Sequence, residues 1–330
     1  MHAVVFKGAG GPEVVTIADV PRPEPGPSEL LVRVHASALN RGDLLQRDGE
    51  YHVPEGQSAI PGVEIAGVVE SCGPHASGFR QGDRVFGVVE GGGFAEYCRL
   101  DAGMANPVPG AWGFAAAAAT AESWLTADET LFTLGGLAAG ESVLVHASAS
   151  GVGTAAVQQA VLAGAVVYGT AGLPSKVDAV RALGAAEVVN HRTHDFVDEL
   201  LRLTGGRGVD LVLDFLGGKG LGRNLSVLRH GGCLVAAGLL DGVVDAHMNQ
   251  LDVIERRLQI KGSSLRLRPM AEKRMVNARF RQRWLDRLLC DEIRPVIHAE
   301  YRIEEINSAL QEMEENHNIG KIVLWIRHAG

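Results

Sequence analysis

At 330 residues, 46% of them hydrophobic, the chain can bury two cores at about 150 residues per domain. Its 31 Lys plus Arg stand against 39 Asp plus Glu, a formal net charge of −8, which opposes nonspecific attraction to a nucleic-acid backbone. Cys72, Cys98, Cys233 and Cys290 form no CxxC pair, which argues against a zinc knuckle or a dense disulfide framework. No run approaches about 18 apolar residues, and the opening MHAVVFKGAGG has no signal-peptide core, so the expectation is a cytoplasmic protein with no membrane segment.

In chain order, residues 3–6 form the first strand-like run. ELLVRVHAS, residues 29–37, alternates Leu30, Val32, Val34 and Ala36 against a face bearing Arg33 and His35, as a half-buried strand does. Residues 62–72, 83–89 and 94–100 continue the β pattern, punctuated by Gly26, Pro27, Pro61, Gly82 and Asp83. This predicts a largely antiparallel or barrel-like domain. The alanine run at 115–119 and ESWLTADETLFTL make the passage to a different grammar.

ESVLVHASASGVGTAA, residues 141–156, reads as strand, tight turn and helix. Small residues in such a turn let the backbone approach a pyrophosphate, and the helix start offers free N–H groups and a positive dipole end. Against GxGxxG, Ser148 and Ser150 replace the first two glycines, Gly153 fits and Gly151 is extra, so taken alone the run equally fits a buried strand with a glycine turn. Its surroundings decide. Residues 166–170, KVDAVRALGA, AEVVN, a helix at 196–203, VDLVLDFLGG, NLSVLRHGG, CLVAAGL and LQIKGSS alternate strand and helix with strands apolar on both faces. That pattern predicts an α/β domain with a doubly wound parallel sheet. The arginine-rich residues 266–283 read as a solvated amphipathic helix. From Pro295 the first grammar returns as PVIHAEY, a helix at 303–317 and a strand at 319–326, so residues 1–120 and 291–330 are expected to close one domain around a cofactor domain at 121–290.

An NAD-binding site usually carries an acid about 20 residues beyond the glycine turn to hold the ribose 2′-hydroxyl. Here that stretch is TAGLPSKVD, and its first acid, Asp178, falls inside the next helix. A 2′-phosphate is therefore admissible, with Lys176, His191 and Arg192 to neutralise it, and NADPH is the expected cofactor. The alternative is that Lys176 and Arg192 are ordinary solvated charges.

Residues 36–51 (ASALNRGDLLQRDGEY), PGVEIAGVV, GDRV, GGGFAEY, ESWLTA, HASASGVGTAA and NIGKIVL together resemble the zinc-free quinone oxidoreductases of the medium-chain dehydrogenase/reductase superfamily, in the zeta-crystallin-like branch. The family's AxxGxxG turn has Ala147, Ser150 and Gly153 here, with serine for its middle glycine. The resemblance implies a β-rich, GroES-like catalytic domain made of both chain ends, a Rossmann cofactor domain between them and a substrate cleft where they meet. Zinc-dependent relatives use a cysteine and the histidine of a GHE motif; Asn40 and Val63 stand at those places, and activity without metal is expected. Carried over residue by residue, Asn40 and Thr126 should lie near the nicotinamide and its ribose, Ser150, Gly151, Val152 and Gly153 at the pyrophosphate, and Gly172 under the adenosine ribose. Gly238, Leu240 and Ser264 should border the nicotinamide half, with Asn318 and Lys321 in the closing segment; for Leu240 a core position fits equally. Some relatives place serine and tyrosine on the 2′-phosphate where this chain has Leu173 and His191.

The implied activity is NADPH-dependent reduction of a quinone or other electrophilic small-molecule acceptor by direct hydride transfer. Asn40 would position the nicotinamide, and Tyr51 would either donate a hydrogen bond or pack against the acceptor. Enoyl or enone reduction is the alternative chemistry, and non-catalytic dinucleotide binding the alternative class. Relatives pair subunits across an edge strand of the cofactor sheet, a place LQIKGSS could take, so a homodimer is expected unless the segment at 266–283 caps that edge.

Overall fold

In the computed structural model, described at residues 1–51, 53–242, 244 and 246–326, the chain forms two units, Met1–Leu125 with Arg266–Gly330, and Thr126–Leu265. The first unit opens with the hairpin β1 (His2–Phe6) and β2 (Val15–Asp19). Next come β3 (Glu29–Ala38), α1 (Arg41–Arg47), β4 (Glu64–Cys72), β5 (Arg84–Val88), β6 (Tyr97–Asp101), β7 (Ala105–Pro107) and the start of α2 (Phe114–Asp128). The alternation read in ELLVRVHAS is real: Leu30, Val32, Val34 and Ala36 are buried while Arg33 and His35 are half-buried. β3 organises the sheet, pairing along one edge with β4 from Leu30↔Cys72 to Ser37↔Ile65 and taking β6 antiparallel at residues 29–33.

α2 runs on into a π-helical turn, Glu129–Leu134, that opens the second unit. There β8 (Ser142–Val145), α3 (Gly151–Leu162), β9 (Val166–Ala171), α4 (Pro174–Ala182), β10 (Glu187–Asn190), α5 (Phe196–Leu203), β11 (Val209–Asp214), α6 (Leu221–Ser226), β12 (Leu228–Ala236), α7 (Gln250–Arg256) and β13 (Gln259–Gly262) follow. The six strands are parallel in the order β10-β9-β8-β11-β12-β13, the doubly wound sheet predicted. The winding reverses between β8 and β11, the switch point whose carboxyl end is where such sheets bind ligands. β8 is buried along its whole length, which its uninterrupted SVLV run requires.

The chain then returns to the first unit with α8 (Met270–Leu289), β14 (Ile297–Arg302), α9 (Ile306–Glu314) and β15 (Lys321–Trp325). β15 pairs antiparallel with β3 from Val323↔Ala38 to Trp325↔Ala36, so both chain ends build one sheet, as expected. The helix expected at 303–317 is a 3₁₀ turn, Ile303–Glu305, followed by α9.

α8 departs from the expectation of a solvated helix belonging to the cofactor domain. Lys273, Val276, Asn277, Phe280, Trp284 and Leu288 recur at helical spacing and are all buried. Burial of Val276, Phe280 and Leu288 stabilises this docking by roughly 1.5–3 kcal/mol apiece. Polar contacts fix where it docks: Asn277 Nδ2 donates to the Gly103 carbonyl at 2.8 Å, Asn106 Nδ2 to Asn277 Oδ1 at 3.0 Å, and Arg274 holds Asp101 at 2.8 and 2.5 Å. The second crossover between units therefore falls at Arg266 and not at 291, and the first falls within α2 at Leu125 and not at 120.

Candidate functional site

In the first unit two of the predicted residues, Asn40 and Lys321, meet at a buried ion pair. β4 begins with Glu64, fully buried, and β15 begins with Lys321, also buried. The Lys321 ammonium donates to Glu64 Oε1 at 2.6 Å, to Asn40 Oδ1 at 2.8 Å and to the Leu39 carbonyl at 2.7 Å. Those bonds use its three hydrogens, so Lys321 has none left to donate to a ligand. Asn40 Nδ2 donates to Glu64 Oε1 at 2.8 Å and to the Ala38 carbonyl at 3.3 Å, while Glu64 Oε2 accepts from the Glu122 N–H at 2.7 Å. Because an ammonium only donates, Asn40 Oδ1 must face Lys321 and the amide orientation is determined. What Asn40 can still offer a ligand is one oxygen lone pair, suited to a ribose hydroxyl or a carboxamide N–H.

Asn40 also starts α1, where its backbone N–H donates to Asp43 Oδ2 at 2.7 Å; Asp43 Oδ1 accepts from the Gly62 N–H at 3.1 Å. Burial pushes the Asp43 carboxyl up to about 6, against the pull of those N–H groups and of Lys321. The residues at the position where relatives bind catalytic zinc do not fit a dication. Asn40 is a neutral amide with both N–H donors committed, Val63 has no ligand atom, and the Lys321 ammonium already supplies the cluster's positive charge. Asn318 lies close by in sequence, its Nδ2 donating to the Gly320 carbonyl at 2.8 Å. Tyr51 is half-buried, and the Arg266 guanidinium lies over its ring, 5.0 Å from the centroid.

In the second unit the predicted turn sits at the switch point. Ala147 leaves β8 with φ +46, a left-handed conformation that reverses the chain toward α3. Ser150 is the helix N-cap, and its Oγ accepts from the Gly153 N–H at 3.0 Å. Serine at the family's middle position thus serves the helix and consumes one N–H, leaving those of Gly151 and Val152, which no helical carbonyl can reach, for an anion. Gly153 cannot be replaced without movement, since a Cβ there would lie 2.4 Å from the Ala147 carbonyl oxygen.

His146, at the end of β8, was quoted in the sequence only as part of a motif. It is fully buried, with Nδ1 2.9 Å from Thr170 Oγ1 and Nε2 2.8 Å from Asn224 Oδ1, tying the turn to β9 and α6. Burial pushes its pKa down to about 4, so the ring is neutral at physiological pH.

Gly172, His191 and Arg192 come together after β9 and β10: a Cβ on Gly172 would lie 3.0 Å from His191 Nε2 and 3.1 Å from Arg192 Nε. Burial, and then the neighbouring charge of Arg192, holds His191 below its ordinary pKa; Lys176 adds in the same sense and Asp241 opposes. Lys176 stands in the first turn of α4, beside a helix start that itself favours anions. Thr126 is half-buried in α2, its carbonyl accepting from Thr130 Oγ1 at 2.8 Å. Gly238 packs where a Cβ would lie 2.8 Å from the Phe215 carbonyl oxygen, and Ser264 is exposed after β13. Leu240 is 45% exposed, which rules out the core reading.

Glu64, Asp43 and Arg266 were not singled out from the sequence. A signal existed for Glu64, an acid inside the apolar run PGVEIAGVV. None existed for Arg266, one of several arginines in its segment.

Residues 26–126 match the family model for the alcohol dehydrogenase GroES-like domain, and residues 151–279 that for zinc-binding dehydrogenase. The quinone oxidoreductase of Rattus norvegicus is 32% identical over 333 residues, covering 99% of this chain and 98% of the relative. The structure of Escherichia coli quinone oxidoreductase complexed with NADPH superposes with a TM-score of 0.89 at 27% identity, covering 98% of this chain and 100% of that one. CurK enoyl reductase gives 0.87, also at 27% identity, with 98% of each chain covered. With the GroES-like sheet, the parallel cofactor sheet and near full-length similarity in hand, the chain belongs to the medium-chain dehydrogenase/reductase superfamily, in its quinone oxidoreductase branch.

Proposed function

We propose that the protein is an NADPH-dependent reductase of quinones that works without a metal. The observation that carries this reading is the Lys321–Glu64–Asn40 cluster, in which the protein's own cation holds Asn40, the residue that stands where zinc-dependent relatives have a ligand cysteine. Alcohol oxidation needs a Lewis acid on the alcohol oxygen, whereas a quinone is already electrophilic and needs only a positioned donor and hydrogen bonds. Similarity to quinone oxidoreductases over nearly the whole chain supports the acceptor class.

When bound, NADPH supplies the hydride from C4 of its nicotinamide. Gly151 and Val152 hold the pyrophosphate through backbone N–H groups, and Lys176, His191 and Arg192 hold the 2′-phosphate. Asn40, locked by Lys321 and Glu64, offers its remaining lone pair to the nicotinamide half; Thr126, Gly238, Leu240 and Ser264 border that half. Tyr51 donates a hydrogen bond to the acceptor oxygen, and the final proton comes from it or from solvent. Enone reduction is the second reading, favoured by the likeness to CurK enoyl reductase and by the same need for an oxygen-directed donor.

The test follows NADPH oxidation with an ortho-quinone, a para-quinone, an enal and an enoyl thioester. Tyr51→Phe should lower kcat/KM by about tenfold or less, the loss of one neutral hydrogen bond, and Asn40→Ala should lower it further with every acceptor. If the protein binds NADPH yet reduces none of the panel, the enzyme reading fails. We also infer a homodimer formed through the β13 edge, where Ile260 is exposed, as are Leu251 and Ile254 of the preceding α7. A monomer by light scattering at micromolar concentration would refute it. Among the described residues no helix is long and apolar enough to cross a membrane.

A further inference from the structure

Arg266 presents a buried donor with nothing to donate to. Its Nε donates to Gln57 Oε1 at 3.1 Å and its guanidinium stacks over Tyr51, but its Nη2 is buried and has no hydrogen-bond partner among the described residues. The side chain is held in place from behind. Gln57 Nε2 donates to Glu90 Oε1 at 3.3 Å, and the buried Lys273 ammonium donates to the same oxygen at 2.6 Å. A relay from α8 through Glu90 and Gln57 thus fixes Arg266 while spending only its Nε. Proteins rarely leave a buried donor unsatisfied, and one held by a hydrogen bond on one side and stacked over an aromatic ring is arranged for a ligand.

We propose that Arg266 is the oxyanion-binding residue of the acceptor site, its free Nη2–H directed at the acceptor oxygen on which negative charge develops. This rests on the reductase reading and on Tyr51 marking the acceptor site. In the reaction the acceptor takes a hydride, two electrons and one proton, from the dinucleotide, which leaves as NADP⁺. The new charge appears on the acceptor's conjugated oxygen, and one proton from Tyr51 or solvent completes the hydroquinone or ketone. A guanidinium stays protonated throughout. Arg266 therefore stabilises the anion without delivering the proton, a division of labour with Tyr51.

Two measurements separate this proposal from the reading beneath it. In turnover, Arg266→Met should lower kcat/KM by about 10²–10³-fold with every carbonyl acceptor, the usual cost of removing one oxyanion donor. NADPH affinity should stay within about twofold, and Arg266→Lys should recover all but about tenfold by keeping the charge without the fork. In binding, 4-nitrophenolate, a stable mimic of the anionic product, is titrated into the NADP⁺-loaded protein at a pH where the probe is ionised. Wild type should bind it at least about tenfold more tightly than Arg266→Met, one charge-assisted hydrogen bond's worth. Equal phenolate affinity in wild type and variant overturns the proposal whether or not the panel turns over. Wild-type inactivity with tight, Arg266-dependent phenolate binding would instead overturn the choice of acceptors. If Arg266→Met does not fold, Arg266→Gln and Arg266→Lys carry the same comparison.

Discussion

Replacing Lys321 with methionine should damage the first unit's core and the proposed cofactor site together. The ammonium makes three hydrogen bonds of 2.6 to 2.8 Å, to a fully buried carboxylate, to Asn40 and to the Leu39 carbonyl. Removing one partner of a buried ion pair costs about 3–5 kcal/mol, because the remaining charge stays desolvated without compensation. Leaving the Leu39 carbonyl unsatisfied adds on the order of 1–3 kcal/mol. Against this, Glu64 keeps the donors of Asn40 Nδ2 and the Glu122 N–H, so the net loss should be near about 3–5 kcal/mol, a large share of a domain's ordinary 5–15 kcal/mol. Urea unfolding followed by fluorescence and by circular dichroism reads this loss. The double variant Lys321→Met with Glu64→Gln removes the stranded charge and should recover more than half of it. NADPH affinity should fall in the single variant, since Asn40 loses the contact that fixes its orientation. A cost below about 1 kcal/mol in Lys321→Met would show that the buried pair is not what holds this cluster, against the expectation for buried pairs.

Gly153→Ala should abolish measurable NADPH binding, although alanine ordinarily favours a helix by about 1 kcal/mol, because its Cβ would meet backbone at 2.4 Å; isothermal titration tests this, and retained affinity would refute the close-approach argument. Binding of a 2′-phosphate should draw a proton onto His191, whose pKa is held below 6.5 in the free protein, so NADPH affinity should fall as pH rises through that region while NADH affinity does not. A His191→Asn variant with the same pH slope would show that His191 does not sense the phosphate. His146 favours the neutral form in the fold: its stabilisation is present above 6.5 and lost as pH falls toward about 4, at up to about 1.4 kcal/mol per pH unit. Asp43, raised to about 6, acts in the opposite sense, its contribution complete below 3.8 and lost as pH rises through 6. The comparison must therefore be wild type against His146→Gln, whose stability should fall less steeply on acidification. Lys176→Ala should lower kcat/KM for NADPH selectively, and an equal loss with NADH would remove Lys176 from the phosphate site.

Periodicity carried the fold. The two-residue alternation of β3 and the apolar runs at residues 143–145 of β8 and 211–213 of β11 state which strands are half-buried and which lie inside a covered sheet, and the structure places them so. The buried face of α8 is hidden in the sequence because eight charged residues mask a stripe only six residues strong, and because two of those six, Lys273 and Asn277, are polar. Their burial depends on Glu90 and Asn106, partners far away in sequence. The same holds for the site: Ser150 and Gly153 are local features that a short window reveals, whereas the Lys321–Glu64–Asn40 cluster joins three distant segments. Lys321 could be carried over from the family's closing segment, but its role as an internal clamp is set by distances no linear pattern contains.

The most direct test of metal-free hydride reduction is anaerobic NADPH oxidation with an ortho-quinone by protein dialysed against chelator, using dinucleotide deuterated at C4. One NADPH should be consumed per hydroquinone formed, the rate should be unchanged by dialysis, and deuterium on the transferred position should slow it. Loss of activity on dialysis that added zinc restores, or an absence of turnover in protein shown to bind NADPH, would contradict the proposed function.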